Sequence, residues 1–129
     1  MVSVAPSDTL QRCVARTNVT MTAQTVTQIR ANEMKKGDVL GTARFAALHS
    51  TVGAHRASPA ADQSHLQMSF AVNELAIEIT ATAVDLELSR ARATALTAAA
   101  IAALTIYDMC KAIDRQMVID CLRVEALGA

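Results

Sequence analysis

The stretch Leu96–Ala112, LTAAAIAALTIYDMCKA, decides how this chain is read. Its apolar residues show no strand-like alternation, and the run sits inside a longer segment, from about Arg90 to Ile113, that reads as the longest helix. At about 100° per residue, Thr97, Leu104, Asp108 and Lys111 fall on one narrow stripe. The rest of the circumference is Ala, Ile, Leu, Met, Cys and Tyr. A helix apolar nearly all round must be covered on more than one side. In a domain this small one sheet covers one side, so the other is expected to meet a second subunit rather than stay exposed. The apolar run Ala93–Tyr107 stops at Asp108, short of the roughly 20 residues a membrane span needs. No membrane is expected.

Working outward, the remaining segments read as three strands, two further helices and a last strand. Gln11–Thr20 carries β-branched residues in an extended pattern and is the first strand. Thr22–Glu33 reads as a helix, with Val26 and Ile29 three apart, ended by Gly37. Asp38 caps a second helix through about Val52, with Val39, Ala43, Ala46, Ala47 and Ser50 on its packing side. Gly53–Ser64, with Pro59, is a loop. Leu66–Val72 is a strand, Asn73-Glu74 a turn, and Leu75–Leu88 a strand with Leu75, Ile77 and Ile79 facing one way and Glu78, Thr80 and Thr82 the other. Met117–Ala126 is the last strand. With the two early helices counted as one crossover, the order implies an α+β, ferredoxin-like fold: an antiparallel four-stranded sheet with helices on one face.

The bulk numbers fit one domain over residues 1–129. Hydrophobic residues make up 52% and aromatic ones 2%, so the core must be built from small and aliphatic side chains. Lysine plus arginine (12) balance aspartate plus glutamate (12), which argues against an electrostatic hold on nucleic acid or membrane. Residues 1–12 show neither a basic head nor an apolar run, so no signal peptide is read. Cys13, Cys110 and Cys121 are odd in number and lack metal-ligand spacing. Free thiols and a cytoplasmic setting are expected. Asn18-Val19-Thr20 is a chance sequon. There is no metal-spaced His/Cys/Asp cluster, no glycine-rich phosphate loop and no nucleophile–base pair. No metal and no cofactor are expected.

Two segments carry a resemblance. One is Lys36-Gly37-Asp38-Val39 followed by Thr42-Ala43-Arg44. The other is the long helix with Tyr107-Asp108-Met109-Cys110-Lys111. Weaker echoes are Met1–Val4 and Met117-Val118-Ile119. Together these resemble the MoaC family of molybdenum cofactor biosynthesis over nearly the whole chain. The resemblance implies a lyase that converts a cyclised GTP derivative into cyclic pyranopterin monophosphate, releasing pyrophosphate. It implies a homo-oligomer, a hexamer built from dimers, with sites at subunit interfaces and a phosphorylated purine or pterin as ligand.

The resemblance also implies site residues. Lys36 would bind phosphate or shuttle a proton, and Asp108 and Lys111 would be central to catalysis. Those two are spaced i, i+3, so they can pair and tune each other's pKa. The alternative is an ordinary surface ion pair on a helix. For Arg44 the readings are phosphate contact or structural pairing.

The chain departs from the family pattern at three places. Where the family has Leu-Cys-His-Pro-Leu, this chain has residues 59–66, and Asp62 falls about where the histidine should be. His65 would substitute only with a shifted strand, and is otherwise an ordinary histidine. Arg92 and Thr94 stand where the family has two glutamates, so Arg92 becomes a candidate phosphate ligand and a charge is reversed. Basic residues near both termini are reduced: Pro6-Ser7 replaces a lysine, Gln11-Arg12 keeps an arginine only in part, and Leu127–Ala129 lacks a lysine-glycine tail. These losses leave a second implication open, a MoaC-fold homologue that binds a ligand or partners an active subunit without the family chemistry. The acids Glu74, Glu78, Asp85, Glu87 and Asp114 read as solvated faces or strand ends, as does Arg115. His49 and His55 read as surface groups.

Overall fold

The computed structural model describes residues 9–54 and 65–128. The elements run β1 (Gln11–Thr20), α1 (Ala23–Arg30), α2 (Val39–Ala54), β2 (Leu66–Val72), β3 (Ala76–Asp85), α3 (Leu88–Cys110) and β4 (Val118–Gly128). The strands form one sheet in the order β2-β3-β1-β4. Every neighbouring pair is antiparallel. Each helical crossover therefore skips one strand, which gives the α+β ferredoxin-like arrangement expected from the element order.

One face of the sheet makes the core. Cys13, Ala15, Thr17 and Val19 of β1 and Ile77, Ile79, Ala81 and Ala83 of β3 are buried in strict alternation. α3 packs on this face, against β1 and β3. Its buried stripe is mostly alanine: Ala91, Ala95, Ala98, Ala99, Ala102 and Ala103 are all fully buried. Without large side chains in the seam, the helix backbone sits close to its neighbours. A leucine at Ala99 would overpack that seam at a cost of about 1–3 kcal/mol.

The second side of α3 is covered within the chain. α2 packs along it through Val39, Ala43 and Ala47. The nearly all-round apolarity of α3 thus needs no second subunit to explain most of it, and only Leu104 and Tyr107 remain as large exposed apolar side chains on this helix. α3 is also longer than its apolar run suggests. At 23 residues it is long and apolar enough, by length and composition, to cross a membrane. Its alanine stripe is instead buried against the sheet and α2.

Local chemistry explains the element ends. Thr22 caps α1, its hydroxyl accepting from the Thr25 amide. Gly37 takes φ +107° between the first two helices, a region that disfavours other residues. Asp38 caps α2, with Oδ1 accepting from the Gly41 amide at 3.0 Å. A side chain at Gly41 would displace that carboxylate from its capping position.

Four expectations change. Leu75 lies in the β2–β3 turn and is exposed rather than facing the core with Ile77. Ser50 is exposed on α2, while Leu40 and Leu48 join the core. Asp85 is buried at the end of β3, where it accepts from the Glu87 amide and faces Arg90 at 3.5 Å. Asp114 is also buried, for reasons given below.

Because α3 turns back over β3, its ends mark two ends of the molecule. Its N-terminus lies where Gln11 pairs with Asp85, Leu66 with Ala83 and Arg12 with Gly128. Its C-terminus lies where Thr20 pairs with Ala76 and Val118, and Val72 with Ile77.

Candidate functional site

The last turn of α3 leaves carbonyl oxygens with no partner inside the helix. Lys36, on the loop between α1 and α2, reaches one of them: its Nζ donates to the Asp108 carbonyl at 3.3 Å. A cation at this end also meets the negative pole of the helix favourably. Lys111, the residue that ends α3, bonds the Asp108 carboxylate at 2.8 Å. Three residues from two distant parts of the sequence thus form one cluster, with one ammonium group on the Asp108 carboxylate and another on its carbonyl.

The electrostatics follow from that arrangement. The hydrogen bond from Lys111, then its charge and that of Lys36, hold the Asp108 carboxyl below its usual range. The same hydrogen bond and charge push Lys111 up. Both side chains are more than half exposed, so the pair adds little to stability. As it stands, Lys111 is a firmly held cation: a ligand for an anion rather than a base. Burial by a second surface would push its pKa back down.

The other expected residues lie elsewhere. Arg92 is exposed near the start of α3, where its charge acts on the buried Cys13 thiol. Sixteen residues of helix rise place Arg92 about 24 Å along the axis from Asp108. Thr94 is buried at that same end. His65 stands immediately before β2, also at the α3 N-terminal end of the sheet. Asp62, His55 and residues 1–8 lie outside the described residues. Arg44 joins neither end. It donates to the Met68 carbonyl and lies over the Phe70 ring at 5.2 Å, tying α2 to β2. His49 stacks on exposed Phe45 at the surface of α2.

Among the described residues, no three His, Cys, Asp or Glu side chains converge as a metal site would require.

Sequence reasoning missed Asp114. Its carboxylate accepts from the Thr22 amide at 2.9 Å, the Thr25 hydroxyl at 2.8 Å and the Gln116 amide at 2.9 Å. Burial raises its pKa, but the amides of Thr22 and Gln116 and the hydroxyl of Thr25 more than offset this, and the carboxyl ends below its usual range. The buried Cys110 thiol nearby is pushed up to about 11, by burial first and by the charge of Asp114 second. The available signal was the Thr22-x-x-Thr25 spacing, a capping pattern that lacks its acid.

A family model described as the MoaC family matches residues 1–127. The chain belongs to the MoaC family. Among MoaC relatives, the cyclic pyranopterin monophosphate synthase of Roseiflexus sp. (strain RS-1) is 39% identical, across 96% of this chain and 82% of its own length. The protein of the same name from Peptoclostridium acidaminophilum is 38% identical, across 94% of this chain and 80% of its own. A molybdenum cofactor biosynthesis bifunctional protein of Chlorobaculum tepidum is 32% identical over 91% of this chain, which spans 38% of that longer protein. Lys36, Asp108 and Lys111, which the sequence resemblance singled out, are gathered by the fold at the C-terminal end of α3.

Proposed function

We propose that this chain acts in molybdenum cofactor biosynthesis as a lyase of the cyclic pyranopterin monophosphate synthase type. Its substrate would be a cyclised, phosphorylated GTP derivative. The observation that carries the reading is the Lys36–Asp108–Lys111 cluster at the end of α3. Two ammonium groups suit phosphate oxygens, and pyrophosphate release needs such charges where negative charge grows. Asp108 keeps the two cations in place and tunes Lys111.

The cluster alone is too open to be a full site. We propose that a second copy closes it within a hexamer built from dimers, and that its Arg92 supplies the remaining phosphate contact. A single chain cannot bring Arg92 and Asp108 onto one small ligand across about 24 Å. Phe45, Leu104 and Tyr107 give exposed apolar surface for such contacts. A cytoplasmic location is proposed from the three cysteines, which are all free thiols.

One observation favours a second reading. Arg92 and buried Thr94 stand where the family has acids, so the α3 N-terminal end brings no glutamate at those positions. On that reading the chain binds the ligand, or partners an active subunit, without turnover. Incubating the purified protein with the cyclised GTP derivative separates the two. Pyrophosphate and a cyclic phosphate product support the lyase, and tight binding with no product supports the second reading.

A further inference from the structure

In a capping box, the residue three places into a helix carries an acid that takes the N–H of the cap residue. α1 opens with Thr22 as cap and Thr25 in that third place. Thr25 cannot supply the acid. Asp114 supplies it from 92 residues away, accepting from the Thr22 amide and the Thr25 hydroxyl through one oxygen, Oδ2. Its other oxygen, Oδ1, accepts from the Gln116 amide. The Thr25 proton goes to Asp114, so between the two hydroxyls 2.9 Å apart Thr22 is the donor, and a short chain of bonds ends on the carboxylate.

A local glutamate would cap α1 equally well. The distant acid does something more, because of where it sits. Asp114 closes the turn after α3, its amide and that of Ile113 both donating to the Cys110 carbonyl at 3.1 Å. Lys111 lies within that turn. α1, held from its first residue by Asp114, leads directly into the loop that carries Lys36. The two arms that meet at Asp108 therefore hang from one buried carboxylate. We propose that Asp114 is a positioning residue: it sets the placement of Lys36 and Lys111 about Asp108 and so the anion affinity of the cluster.

This rests on the reading of that cluster as the working site, and the test keeps the two apart. The first measurement is the pKa of the Asp108 carboxyl by NMR in the wild type, Asp114→Asn, Thr25→Val and Thr25→Ser. Removing a neighbouring negative charge alone would lower the Asp108 pKa. Loosening the two lysines would raise it toward the ordinary aspartate value of about 3.9. A rise in Asp114→Asn, a smaller rise in Thr25→Val and none in Thr25→Ser is the expected result. An unchanged or lowered value in folded Asp114→Asn overturns the proposal. If that variant does not fold, Thr25→Val decides the matter, and an unchanged value there overturns it equally.

The second measurement is pyrophosphate affinity by calorimetry. Asp114→Asn should weaken it about fivefold, as for one impaired charge-assisted contact. Wild-type binding that the variants leave unaltered counts against Asp114 as a positioning residue. Failure of the wild type itself to bind pyrophosphate counts against the cluster as the site, and the Asp108 pKa then still tests the positioning.

Discussion

The two ends of α3 present their charged side chains differently. At the C-terminal end, Lys36 and Lys111 both bond Asp108. At the N-terminal end, Arg92 is exposed and Thr94 is buried. The first end is held by structure: a helix terminus needs a cation, and a buried aspartate fixes the turn beside it. The second end has no comparable tie to its site residues, with Arg92 exposed on the helix surface. A cation at a helix terminus is tied into the fold as well as presented to a ligand, whereas one on the open helix surface is presented to solvent alone.

That contrast can be pressed from either side. The largest effect is expected at Lys111. Lys111→Ala should cut pyrophosphate release from the cyclised GTP derivative by roughly 100-fold or more, with an unchanged melting temperature, because the exposed pair does little for stability. Retained turnover would remove the C-terminal end from the chemistry. Next is Lys36→Ala, for which calorimetry should give about tenfold weaker pyrophosphate binding. Arg44→Ala should change that affinity by less than about twofold, since its guanidinium is engaged by Met68 and Phe70.

Acid unfolding sharpens the same contrast through Asp114. Its pKa is lowered in the folded state, so the stability it contributes is fully present above the unfolded value, about 3.9, and is lost as pH falls through the folded one. Urea titrations at falling pH should therefore show a steeper stability loss in the wild type than in Asp114→Asn. Parallel profiles would mean that the carboxylate is not the anion its three hydrogen-bond donors imply. The smallest effect belongs to Arg44, which lies between the two ends. Arg44→Ala should destabilise by about 1 kcal/mol, for one hydrogen bond and a half-exposed ring contact, measured by urea denaturation.

Much of the fold was legible because the periods were clean. Gln11–Thr20 and Leu66–Val72 match their strands residue for residue, as alternation with β-branched side chains allows. Helix ends moved by only a few residues, where capping chemistry is local. Less legible was what each surface meets. The apolar circumference of α3 does not reveal whether α2 or a second chain covers it, since both would present the same aliphatic side chains. Asp114 looked solvated because its partners, Thr22 and Thr25, lie some 90 residues away in sequence and only the fold brings them close. The cluster was legible in part: i, i+3 spacing joins Asp108 to Lys111, whereas the approach of Lys36 to the Asp108 carbonyl is purely tertiary.

On the proposed lyase reading, one working site draws on the C-terminal end of α3 in one copy and the N-terminal end in another. Mixing subunits separates this from a site built within a single copy. Lys111→Ala and Arg92→Ala are each expected to be inactive in pyrophosphate release when assayed alone. Co-refolded in equal amounts, they should regain roughly a quarter of wild-type activity, because half of the random dimers then carry one intact site of two. No recovery from two folded, co-assembled variants would contradict the claim.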